Sequence, residues 1–115
     1  MSSRRREIFE PSEDQITAAV VAHWRTFGVP GSLVASIPNK RAFGQPGLTK
    51  GLPDLLVLSP SLPVGFIEQK RNARSIVSPA QYDFQELCER LDVPHFFAVG
   101  RDEPIAILKS WGAIR

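Results

Sequence analysis

The chain has 115 residues, 43% of them apolar and 23% charged, with a formal net charge of +2. That composition is ordinary for one globular domain with a real core, and it excludes a disordered or strongly polybasic chain. A single cysteine, Cys88, excludes an intrachain disulfide and a cysteine zinc cage, and no apolar run approaches the ~20 residues of a membrane span.

Residues 1–11 read as a basic, flexible arm with Arg4, Arg5 and Arg6, and residues 12–115 as one domain. The start, Met-Ser-Ser-Arg-Arg-Arg-Glu, lacks the apolar stretch of a secretory signal, so the expected location is the cytosol. Ser12 with Gln15 three positions on forms a capping box, and Ile16, Ala19, Val20, His23 and Trp24 follow at helical spacing. That helix should stop near Gly28-Val29-Pro30-Gly31. Leu33 to Ile37 reads as a strand, and the glycine- and proline-rich stretch from Lys40 to Pro53 as a long functional loop. Asp54 to Ser59 and Val64 to Lys70 are the next strands, close enough for a hairpin. Ser78-Pro79-Ala80-Gln81 repeats the capping box ahead of a second helix, on which Cys88 falls as a buried or half-buried thiol rather than a reactive one. His95 to Val99 is a strand, and Pro104 to Ile114 a last amphipathic helix. The order α-β-β-β-α-β-α predicts an α/β or α+β fold with a central sheet covered by helices.

The distribution of charge says more than its total. Between Gln15 and Tyr82 there are two carboxylates, Asp54 and Glu68, against seven basic residues. A basic middle with acidic flanks suggests one positive face, for which nucleic acid is the commonest partner. Taken singly, Asp54 reads as a turn aspartate, and Glu68 with Lys70 as an ion pair, since residues two apart on a strand share a face. Their company favours a shared cation. If the two strands pair antiparallel, the start of one lies beside the end of the other, and both acids reach one ion. An internal carboxylate is costly unless something compensates it. His23 and His95 stand at no ligand spacing and read as packing residues, so oxygen donors point to Mg2+ or Mn2+ rather than zinc. Lys70 then orients or deprotonates the attacking water, or neutralises charge building on a phosphate.

Pro53-Asp54 followed by Glu68-Gln69-Lys70 after an apolar strand resembles the PD-(D/E)xK nuclease signature. With Glu13, Pro38-Asn39, Gly51-Leu52-Pro53-Asp54 and Ser78-Pro79-Ala80-Gln81 in that order, residues 13–100 resemble the VRR-NUC (virus-type replication-repair nuclease) branch in its minimal stand-alone form. The resemblance implies a restriction-endonuclease-like core with a mixed central sheet. It also implies that Asp54, Glu68 and the backbone carbonyl of Gln69 bind metal and that Lys70 is catalytic. Glu13 would stand near the ion, binding through water or serving a second ion, and its alternative is a helix-dipole acid. Gln81 would steady Lys70 or the scissile phosphate, alongside its capping role.

Asn39, Lys40, Arg41, Lys50, Arg71 and Arg74 would contact DNA phosphates, although each alone reads as a solvated charge. Phe43 would meet a partner subunit, an opened base pair or the core. Gln69 departs from the apolar residue common at its position, and its side chain, facing away from Glu68 and Lys70, is expected to meet solvent or a partner subunit. The implied activity is a Mg2+- or Mn2+-dependent DNA endonuclease, structure-specific on branched DNA such as four-way (Holliday) junctions. It would act as a homodimer in the cytosol of a bacterium or a phage-infected host. The alternatives are a non-catalytic nucleic-acid-binding module and a nuclease subunit active only within a larger replication or repair assembly.

Overall fold

The computed structural model describes residues 10–38 and 46–115, and within them the elements follow the predicted order. Helix α1 spans Glu13–Phe27 and opens on the predicted capping box. The Gln15 amide N–H donates to Ser12 Oγ at 3.2 Å, and the Ser12 N–H donates to Gln15 Oε1 at 2.9 Å. Two otherwise orphaned donors are thereby satisfied, with Glu13 and Asp14 at the positive end of the helix dipole. Helix α2, Pro79–Arg90, starts in the same way on Ser78 and Gln81.

Strands β1 (Leu33–Ser36), β2 (Leu55–Ser59), β3 (Leu62–Lys70) and β4 (His95–Val99) form one sheet in that spatial order. The β1–β2 and β2–β3 pairs are antiparallel, while β4 runs parallel to β3, and α2 makes the crossover that a parallel pair requires. The sheet is therefore mixed, as expected.

Period-two alternation sends Val34, Leu55, Val57, Ile67 and Ala98 to one face. There they form a buried cluster with Ile16, Val20 and Val21 of α1, with Ala113 and Ile114, and with Leu108 of helix α3 (Asp102–Ser110). Fully burying a side chain such as Leu55, Ile67 or Leu108 contributes about 1.5–3 kcal/mol. The opposite face carries Phe66, Glu68, Lys70 and Phe97, and α2 covers its β3–β4 half. Phe84 stands edge-on to Phe66 at 5.2 Å, and Tyr82 to Phe97 at 5.8 Å. His95 packs beside Phe84 and Phe97, and Cys88 is buried, as their sequence positions suggested.

Strands β1 and β2 are each one residue shorter than expected, at Ile37 and Asp54, and the larger differences are in β3 and α3. Strand β3 begins at Leu62 rather than Val64, because Ser59 pairs with Leu62 across the turn residues Pro60 and Ser61. Helix α3 begins at Asp102 and stops at Ser110, well short of Ile114. Gly112 takes φ 76°, and the chain then turns back, so that Val29 N–H donates to the Ala113 carbonyl at 2.9 Å. The apolar residues after Ser110 serve the core as a return segment rather than as a helical face. Among the described residues no helix is long and apolar enough to cross a membrane.

Candidate metal centre

The site is created by a mismatch in strand length. The β2–β3 ladder reaches the pair Leu55–Ile67 and goes no further. Strand β3 continues beside β4 through Glu68–Phe97, Gln69–Ala98 and Lys70–Val99, so its end overhangs β2. Asp54, immediately before β2, lies across from Glu68, immediately after Ile67. Beyond the paired part of β2, the Gln69 N–H donates to Asp54 Oδ2 at 2.7 Å, a side chain continuing where the ladder ends. The Asp54 carbonyl still accepts from Ile37 N–H at 2.8 Å, which ties this corner to β1.

The loop leading to Asp54 is pressed against α2. Gly51 has φ 85°, and a Cβ there would sit 2.5 Å from the Ala80 carbonyl oxygen. Only glycine tolerates both conditions, and the contact holds the Asp54 loop against the helical turn that carries Gln81.

Glu13, at the start of α1, joins Asp54 and Glu68 at this corner, with one carboxylate oxygen from each within 4.8 Å of the others. Glu68 is 2% exposed. Burial pushes its carboxyl up to about 8, helped by the negative charge of Asp54 and opposed by Lys70; a hydrogen bond with Asp54 and the charge of Glu13 raise it further. The Gln81 side-chain N–H donates to Glu68 Oε2 at 2.7 Å. Lys70 Nζ donates to the Ile76 carbonyl at 2.9 Å and to Gln81 Oε1 at 3.0 Å, and stands 3.5 Å from Glu68 Oε2. Gln81 also accepts from Ser78 N–H at 3.0 Å, so the two readings of this residue hold together. It caps the helix and braces the acid and the lysine.

Asp54, Glu68, Lys70, Gln81 and Glu13 are thus gathered at one corner of the sheet. The remaining positions are more varied. Lys50, Arg71 and Arg74 are exposed on the loops that flank this corner, whereas Asn39, Lys40, Arg41 and Phe43 lie outside the described residues, with most of the arm. Arg71 is engaged: its Nη2 donates to Glu10 Oε1 at 3.2 Å, while Asn72 Nδ2 donates to Glu10 Oε2 at 2.6 Å. The Asn72 hydrogen bond, with the charges of Arg71 and Arg74, holds the Glu10 carboxyl below its usual range.

Gln69 corrects an expectation. Its side chain meets neither solvent nor a partner but is fully buried, with Nε2 donating to the Gly100, Lys70 and Ala98 carbonyls at 2.6, 3.1 and 3.2 Å. Alternation alone says only that this side chain faces away from Glu68. That the opposite face is core at this rung depends on how α1 and α3 pack. The sequence reading also missed the Ile76 carbonyl and the Glu10–Asn72 contact. A main-chain acceptor leaves no compositional trace, and the second pair joins residues far apart in the chain.

No protein-family model matches the sequence, and no curated protein does. Solved structures do match in three dimensions. A protein described as "VRR_NUC domain protein" superposes with a TM-score of 0.76 at 21% identity, over 90% of this chain and 90% of that one. A second, described as "VRR_NUC domain", gives 0.60 at 22% identity, over 85% of this chain and 94% of its own. The architecture of this chain, from the N-capped α1 through the mixed sheet to α3, is therefore the fold of the VRR_NUC domain.

Proposed function

We propose that the chain is a divalent-metal-dependent DNA endonuclease. The observation that carries this reading is the convergence of Asp54, Glu68 and Lys70 at the overhanging end of β3, with Glu13 closing the group. The likeness in fold to VRR_NUC domains supports it. The donor set is all oxygen, which suits Mg2+ or Mn2+, and a bound cation would offset the burial, and with it the neighbouring negative charge of Asp54, that raise the Glu68 carboxyl. Asp54, Glu68 and Glu13 would hold the ion, with the Gln69 carbonyl as a further donor. Bound there, it supplies Lewis-acid stabilisation of charge developing on the scissile phosphate.

The protein's own groups do the positioning. Lys70 has two of its N–H bonds committed to Ile76 and Gln81. Its third, directed toward Glu68 Oε2 at 3.5 Å, is the one available to an attacking water or a phosphate oxygen. Gln81 keeps the ammonium and the Glu68 carboxylate in register. Lys50, Arg71 and Arg74, exposed beside the corner, would meet the phosphate backbone, and Asn39, Lys40 and Arg41, outside the described residues, are the further phosphate contacts of this reading.

A branched substrate and a homodimer complete the reading. Two cuts on a four-way junction require two sites in matching orientation, which a two-fold dimer supplies. Exposed Leu87 and Leu91, four residues apart at the end of α2, offer an apolar surface for a second copy.

The test is cleavage of labelled four-way junction, flap and linear duplex DNA, with and without Mg2+ or Mn2+, alongside light scattering. Metal-dependent cutting that Lys70→Ala abolishes while folding and DNA affinity persist supports the proposal. DNA binding with no cutting under any metal overturns it in favour of a binding module. Cutting only after addition of a cell fraction assigns the chain to a larger assembly.

A further inference from the structure

Within the nuclease reading, on which this inference rests, the Gln69 side chain has no direct role, because it lies on the face of the sheet opposite the carboxylates. Yet Gln69 is among the largest fully buried side chains of the protein, and a buried amide is costly unless its hydrogen bonds serve the fold. Its amide nitrogen meets three main-chain carbonyls, Gly100 at 2.6 Å, Lys70 at 3.1 Å and Ala98 at 3.2 Å. All three lie where β3 and β4 end. The Gly100 N–H also donates to the Lys70 carbonyl at 2.9 Å, and Gly100, with φ 70°, turns the chain toward α3. The Gln69 backbone N–H meanwhile holds Asp54 Oδ2. One residue therefore ties β4 on one side and the Asp54 carboxylate on the other.

We propose that Gln69 is a positioning residue: its buried amide clamps the free end of β3 to β4 and so sets the placement of Lys70 Nζ and Glu68 on the far face. The physical need is local. Past Ile67 the strand is no longer paired to β2, so its last three residues have a main-chain ladder only on the β4 edge and, on the other, the single bond from Gln69 N–H to Asp54 Oδ2. A strand end held so unequally can twist about its own axis, and a small twist there displaces Glu68 and Lys70 together. The amide resists that twist by fastening the Lys70 main chain to two carbonyls of β4 and its turn. An apolar side chain of equal size fills the same space without those bonds and leaves the Gly100 carbonyl with one donor fewer.

Gln69→Leu and Gln69→Met test the clamp, the second because methionine adapts to an irregular core if leucine does not fold. Three quantities are compared with wild type: kcat and KM for DNA, and the Gln81 side-chain amide resonances in proton–nitrogen spectra. Those resonances report the Glu68–Gln81–Lys70 chain whether or not the protein cuts DNA. The expected result is a kcat lower by about tenfold or more, KM within about threefold, and displaced Gln81 resonances, since a misplacement near 1 Å costs up to about 100-fold. In the wild-type chain, the Gln69 side-chain amide protons should exchange far more slowly than those of exposed glutamines. Rapid exchange there, or variants with wild-type kcat and unmoved Gln81 resonances, overturns the clamp while leaving the nuclease reading intact. Conversely, a wild-type protein that cuts no DNA defeats the nuclease reading, and the resonances and exchange rates still decide the clamp.

Discussion

Glu68 makes the metal-free protein sensitive to pH in a direction opposite to the usual carboxylate. Its folded titration near 8 lies above the ordinary 4.5, so between those values the folded state holds a proton that the unfolded chain has released. Stability from this group is fully present below pH 4.5 and is lost as pH rises through 8. At about 1.4 kcal/mol per pH unit, the ceiling is about 5 kcal/mol; access of water to the sheet corner and the shared proton with Asp54 reduce the expected loss to about 2–3 kcal/mol. Urea unfolding in EDTA at pH 5 through 9 should show this loss in the wild-type chain and not in Glu68→Gln, where the remaining dependence is a rise in stability toward pH 6.5 as the unfolded chain gives up the proton that burial denies to His95. Mg2+ or Mn2+ should abolish the slope by stabilising the ionised carboxylate. Near pH 7, calorimetry in buffers of different ionisation enthalpy should show about one proton released on metal uptake. The same pH slope in Glu68→Gln, or metal uptake without proton release, would refute the reasoning.

Ser78→Ala and Gln81→Leu separate the two duties of the second capping box. Each should cost about 1 kcal/mol in urea unfolding, but only Gln81→Leu should lower kcat, by about tenfold or more, because only Gln81 touches Glu68 and Lys70. Gly51→Ala should destabilise by about 2 kcal/mol or more and weaken metal binding with it, since a Cβ forces the Asp54 loop off α2; unchanged unfolding would show that the loop yields freely. Glu10→Gln should free Arg71 and Asn72 for phosphate, so DNA affinity rises and its logarithmic salt dependence steepens by about 0.9 in filter binding; an unchanged slope would place Arg71 away from the DNA.

Much of this molecule is legible in one dimension. Both helix starts were readable because Ser12–Gln15 and Ser78–Gln81 carry their capping chemistry within four residues. The antiparallel pairing that brings Asp54 to Glu68 followed from a short hairpin connection. The end of α3 was not readable, because Ala113 and Ile114 are as apolar as a helical face would be. Their fate depends on Gly112 adopting positive φ and on β-type contacts with the end of α1, including the bridge between Gly28 and Ile114.

By itself, the sequence determined the order of elements, the pair of isolated acids and the lysine on the same strand face, since periodicity and local capping are properties of near neighbours. Only the tertiary structure decided which side of each strand is core, that Gln69 lies inside it, and that β3 outruns β2 to open the corner where Glu13 arrives. Those outcomes depend on contacts between residues tens of positions apart, which are set by how helices and strands of unequal length pack together. Local chemistry cannot encode them one residue at a time.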